Sequence, residues 1–240
     1  MAVTRVYNQV FQDSPTNNIV LPGVANRKMI VRTTAENASN GFNITEFTLN
    51  GIACAQVTDG ITLAHGKADG GGRTNEEIQY FLDIPDAMSG TVPLVITYDV
   101  GFAGRIDSVL IYTGLKPGNC DYSDGFQSTT VITNTINANP VESDGVIVQF
   151  ASCGDQGSWT AGGGETLIEQ GNATSMSGMT SEKIYNTNAA NSMTSNGPII
   201  RRYVQTLSVW GEPGGAPPSG RIMGSLAGKG GLAGPGGLAG

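Results

Sequence analysis

Apolar residues in this chain fall in short runs, each closed by a turn signal. The first are Lys28-Met29-Ile30-Val31-Arg32, reached from Val20-Leu21-Pro22-Gly23, and Ile44-Thr45-Glu46-Phe47-Thr48-Leu49. Asn50-Gly51 follows, the strongest short hairpin signal in the chain, and Ile52-Ala53-Cys54-Ala55-Gln56-Val57 reads as the return strand. Further runs occupy 78–82, 93–98, 108–112, 130–132, 145–150, 166–168 and 203–210. Runs of this length between Gly, Pro and Asn predict about ten strands, spaced as in a sandwich or jelly roll. No segment before the C-terminal tail keeps a helical apolar stripe. Ser175 to Asn196 comes nearest, and its scattered apolar residues predict a strand followed by a long loop.

Composition agrees with the pattern. Charged residues make up 14% of the 240 positions, while glycine occurs 35 times. The Ala, Leu, Glu, Lys and Arg mixture that favours long helices is missing. The expected fold is therefore all-β: one β-sandwich or jelly-roll-like domain over 1–210, a Pro/Gly-rich linker over 211–223, and a Gly-rich tail over 224–240. Trp210 is the last expected core residue.

Charge narrows the function. A net charge of −7 argues against nucleic-acid binding, which calls for a basic face. The only basic pairs, Arg27-Lys28 and Arg201-Arg202, read as strand ends meeting solvent. No stretch reaches the roughly 18 apolar residues of a membrane span, and the first residues carry no apolar signal region. Cys54, Cys120 and Cys153 lack metal-type spacing and read as reduced thiols in a protein assembled in a cytoplasm.

The order of elements up to Trp210 resembles a β-sandwich domain of phage and prophage virion proteins. Asn26-Arg27 opens an apolar strand, and the Asn50-Gly51 hairpin follows. Tyr80-Phe81-Leu82 then leads to Pro85 and a Ser89-Gly90-Thr91 turn before the strand of 92–98. A later strand closes on Thr113-Gly114. The resemblance implies a structural role in the virion, as head decoration or cement protein, head fibre or tail adhesin. Its implied partners are a major capsid or tail protein and sister chains in a homo-oligomer. Some sandwich domains of this general type also bind carbohydrate, which makes host glycans a further class of partner. No family catalytic motif carries over.

Candidate chemistry in the residues themselves is sparse. His65, the only histidine, reads as a solvent-facing loop residue in a glycine-rich stretch, with no nucleophile elbow and no zinc pairing nearby. Cys120-Asp121-Tyr122-Ser123-Asp124-Gly125 holds two carboxylates, too few for a calcium loop, and reads as a turn, as do Asp59-Gly60 and Asp144-Gly145. Acids paired across separate strands, as in a β-sandwich hydrolase, would be invisible in the sequence. The expectation is a protein that is not an enzyme and holds no cofactor or metal. Trp159, between Gly157 and Gly162-Gly163-Gly164, is a candidate surface contact for a sugar or a subunit; its other reading is a lid over one end of the sandwich.

The tail adds one more candidate. Leu226, Leu232 and Leu238 recur every six residues, each followed by Ala-Gly. At three residues per turn, polyproline-II geometry puts all three on one face. One such strand alone cannot bury enough to offset its ordering entropy, so the tail is expected to dock on a partner surface.

Overall fold

The computed structural model describes residues 2–14, 16–37, 41–138, 140, 142–187, 189–198 and 201–213. The described residues form strands and no helix, in four antiparallel sheets. The first half holds β1 (Thr4–Gln12), β2 (Thr16–Leu21), β3 (Arg27–Asn37), β4 (Ile44–Leu49), β5 (Ile52–Ala53), β6 (Ala55–Gln56), β7 (His65–Gly70), β8 (Arg73–Ile84), β9 (Gly90–Tyr98) and β10 (Gly104–Thr113). The second holds β11 (Tyr122–Ser128), β12 (Thr133–Ala138), β13 (Gly145–Cys153), β14 (Thr160–Ala161), β15 (Thr166–Ala173), β16 (Met176–Tyr185), β17 (Asn191–Asn196) and β18 (Tyr203–Gly211).

Each half is a β-sandwich-like pair of sheets. In the first, inner sheet β1-β10-β3-β8-β6, with β7 also on β8, packs on outer sheet β2-β9-β4-β5. Met29, Val31, Val109 and Ile111 from the inner sheet meet Ile19, Phe47, Leu49, Leu94 and Ile96 from the outer. In the second, inner sheet β11-β18-β13-β16-β15 packs on outer sheet β12-β17-β14 through Ile147, Leu207, Val209, Ile136 and Met193. Alternation along each strand sends the other face of each inner sheet toward its counterpart. Every residue of β3, β13 and β18 is consequently buried.

The two halves repeat one plan. Inner orders β1-β10-β3-β8 and β11-β18-β13-β16 correspond strand for strand, as do outer orders β2-β9-β4 and β12-β17-β14. Their contacts are reciprocal: β1 lies against β15, and β11, the counterpart of β1, lies against β7. That reciprocity is the mark of an isologous, two-fold interface, built here within one chain.

The seam between the inner sheets is apolar at one end and polar toward the other. Ile30, Phe81, Leu110, Val146, Val148, Phe150 and Trp210 form one cluster. Beyond it, Arg32 donates to Glu77 Oε2 at 3.1 Å and to Ser108 Oγ at 2.8 Å, with its guanidinium 5.5 Å from the Phe150 ring centroid. Thr206 Oγ1 donates to Glu77 Oε1 at 2.8 Å, and Gln79 joins Thr206 and Ser208. A buried charge must be paired to be tolerated, and this seam pairs Arg32 and Glu77 within one half while the other half supplies the hydroxyl.

Several sequence expectations change. The Asn50-Gly51 turn forms with both residues at positive φ, as a two-residue hairpin loop requires. Its return strand is split: β5 stays in the outer sheet, while β6 crosses to pair with β8. Residues 130–132 are not strand, and β12 starts at Thr133. Ser175 to Asn196 is two strands, β16 and β17, because the polar face of β16 meets the polar seam rather than solvent. Of Cys120 to Gly125, read as a turn, the residues from Tyr122 on lie in β11. Asp59-Gly60 is a turn as expected, with Asp59 Oδ1 accepting the Ile61 and Thr62 N–H groups. Arg27, Lys28 and Arg202 are buried rather than solvent-facing. Finally, β18 runs through Gly211, and Glu212 N donates to Asp144 O at 3.0 Å, so the body extends beyond Trp210.

Candidate functional site

A cleft of about 600 Å³ opens where β3 begins, β8 ends and the chain passes Pro213. Asn26 and Arg27 shape its floor. Asn26 sits at φ +54°, a left-handed conformation that Asn tolerates better than most residues, and its N–H donates to Asp86 Oδ1 at 2.8 Å. That turn aims Arg27 inward, where its guanidinium donates to the carbonyls of Pro22, Pro85, Asp86 and Met88. Arg27 therefore ties the 85–88 turn to the start of β3 and leaves little charge for a ligand.

Lys28 is likewise turned in. Its ammonium pairs with Asp83 Oδ1 at 2.9 Å, donates to Gly118 O, and lies 4.8 and 4.7 Å from the ring centroids of Phe81 and Trp210. Burial pushes its pKa down, against the opposing pull of Asp83. Asp83 Oδ2 accepts the Gly118 N–H at 2.7 Å, which fixes the 114–118 segment as the opposite wall. Leu115 and Ile84 are buried beneath, while Pro85, Pro117 and Pro213 stand exposed at the rim with Asp83 and Asp86. An arriving group meets apolar walls and carboxylates, with the two cations below. Such a surface suits a basic and apolar peptide, and it holds no pairing of nucleophile and base.

The structure scatters the residues singled out from sequence. Trp159 is only 2% exposed, so its ring is not offered to solvent: it packs with Ala151, Cys153, Met179 and Tyr203, and its indole N–H donates to Ser177 Oγ at 3.0 Å. Of the two readings of Trp159, the exposed contact does not hold; Gln170, on β15, accepts the Trp159 N–H at 2.9 Å. His65 is a half-buried strand residue that opens β7, its Nε2 2.7 Å from Glu76 Oε1, and not a loop residue. Cys54, Cys120 and Cys153 form no disulfide with one another. Leu226, Leu232 and Leu238 lie outside the described residues. Among the described residues, no group of three or more His, Cys, Asp and Glu is placed to hold a metal ion. No described helix is long and apolar enough to cross a membrane.

Sequence reasoning missed the cleft. Its only trace was the Asn26-Arg27 pair with prolines at 85 and 117, and the pair was read as a strand opening. Comparison of the chain with protein-family models, curated proteins and solved structures gave no match.

Proposed function

We propose that this chain is a non-enzymatic structural component of a bacteriophage virion, a capsid decoration or head-fibre protein attached through its C-terminal segment. On this reading each half is a jelly roll. The support is the strand order β1-β10-β3-β8 over β2-β9-β4, and its repeat in the second half, since jelly rolls of two facing sheets recur in viral capsid proteins.

The observation that carries the attachment role is the position of Pro213 together with the sequence that follows it. Pro213 stands on the rim of the cleft, and 27 residues follow, with leucine every six positions between 226 and 238. A strand-built body plus a tail of regularly spaced leucines fits a component that is attached rather than one that turns over substrate. Its partners are a capsid or tail protein and sister chains, with assembly in the host cytoplasm. Mass spectrometry of purified particles tests this: a fixed, high copy number per particle supports decoration, and absence from particles removes the reading.

A second reading, a carbohydrate-binding tail adhesin, keeps one observation in its favour. The solvent face of outer sheet β12-β17 is a ladder of uncharged hydrogen-bonding groups, with Thr133 paired to Asn196 and Thr135 to Thr194, both at 2.7 Å. A glycan array with the full chain distinguishes the two.

A further inference from the structure

We propose that the cleft beside Pro213 is the seat of this chain's own segment 219–226, Ser-Gly-Arg-Ile-Met-Gly-Ser-Leu, which stows the tail against the body in the free protein. This rests on the reading of the C-terminal segment as an attachment element, and it adds where that element sits before attachment.

Position and reach come first. Pro213 lines the cleft, and Arg221 is eight residues further along. Eight residues span at most about 28 Å extended, enough to return to the cleft. The segment is held beside the cleft at an effective concentration in the millimolar range, on the order expected for short flexible linkers. A second copy of the chain at micromolar concentration cannot compete with that.

Composition points the same way. Residues 214–240 contain Arg221 and Lys229 and no acid, whereas the preceding part has eleven Lys and Arg against twenty Asp and Glu. At the cleft the cations are buried and the carboxylates exposed: Arg27 and Lys28 are 3% and 1% accessible, and Asp83 and Asp86 stand at the rim. Arg221 meets those carboxylates. Ile222 and Met223, the first large apolar side chains after Trp210, cover Ile84, Leu115 and the flanking prolines. The cleft volume of about 600 Å³ lies inside the range of about 300–1,000 Å³ typical of small-ligand sites, room for two such side chains.

Docking of this kind keeps the leucine face of the tail close to the body until a partner surface draws it away. The test is disulfide trapping in the full chain carrying Pro117→Cys and Ile222→Cys, under mild oxidation, with Thr135→Cys and Ile222→Cys as the distant control. Neighbouring Cys120 is buried, and burial pushes its thiol up to about 12, so it does not compete for the bridge. The expected result is a bridge within one chain, forming roughly tenfold faster than the control, which carries the same tether but has no cleft at its partner position. Asp86→Arg in the same background should slow it several-fold. A 117–222 bridge found only between chains, or no faster than the control, overturns the proposal. Either outcome leaves the virion reading to its own test, the presence of the chain in purified particles.

Discussion

Thr34 Oγ1 and Ser152 Oγ meet 3.1 Å apart across the seam between the two halves, and they hold corresponding places in corresponding strands. Thr34 pairs with Ile106 on β10 and Glu77 on β8; Ser152 pairs with Val204 on β18 and Gly178 on β16. Arg32 and Phe150, two residues earlier in each strand, are also counterparts in contact. Farther out, the counterparts differ. Tyr112 donates to Glu182 at 2.6 Å at one margin, and Trp210 packs on Phe81 at 5.4 Å at the other. The seam is a two-fold interface whose two ends now carry different chemistry.

The paired charges inside the seam make it sensitive to single changes. Glu77→Leu leaves Arg32 buried without its carboxylate and should cost about 3–5 kcal/mol, whereas Arg32→Met with Glu77→Leu should cost much less. Urea unfolding of the single and double variants checks this. Equal losses in both would show that the pair contributes packing rather than charge compensation.

Close backbone approach gives a second prediction. A Cβ at Gly125 would run into the His65 backbone carbonyl where β11 crosses β7, while nothing lies within 4 Å of one at Gly23. Gly125→Ala should therefore lower Tm sharply by prising the halves apart. Gly23→Ala should leave Tm within a degree or two or raise it slightly, because it restricts the unfolded chain.

Trp159→Ala should destabilise by about 3–5 kcal/mol, the range for removing a buried aromatic. A surface tryptophan would show almost no loss, so chemical denaturation separates the two placements directly.

Acid dependence follows from Glu169, which burial holds above the usual carboxylate range despite the Asn8 amide beside it. The folded state keeps this proton at pH values where the unfolded chain has released it. Its contribution to stability is full below the ordinary value of 4.5 and is lost as pH rises through the higher folded value. Glu169→Gln should flatten the fall of Tm between pH 4.5 and 7. An unchanged slope would contradict this.

Burial also pushes the thiols of Cys54 and Cys120 up to about 12. At pH 8 iodoacetamide should label both far more slowly in the folded protein than in urea, since the thiolate is the reactive form.

Much of this fold was legible wherever a backbone conformation restricts the residue. Asn50-Gly51, Gly90 and Thr113-Gly114 mark strand ends in the sequence, and the glycines sit at positive φ in the structure. The inner seam was not legible, because its buried faces are polar. On the seam face of β16, Gly178 and Thr180 read as loop residues, yet both are buried, and Ser177 and Ser181 on its opposite face are buried against Trp159 and Gln149. The repeat was hidden for the same reason, since Arg32 stands where Phe150 does and Phe81 where Glu182 does. Geometry has been kept while side-chain chemistry has not. The cleft escaped notice because its residues come from four separated stretches that only β3, β8 and β18 bring together.

The proposed role depends on attachment through the segment after Pro213. The most direct measurement is the amount of this chain in purified particles when the infected cell supplies either the full protein or residues 1–213, a boundary that keeps the Gly211 and Glu212 hydrogen bonds. Normal levels of folded 1–213 protein in the cell and its loss from particles are the expected result. Incorporation of the shortened chain at the full-length level would contradict it.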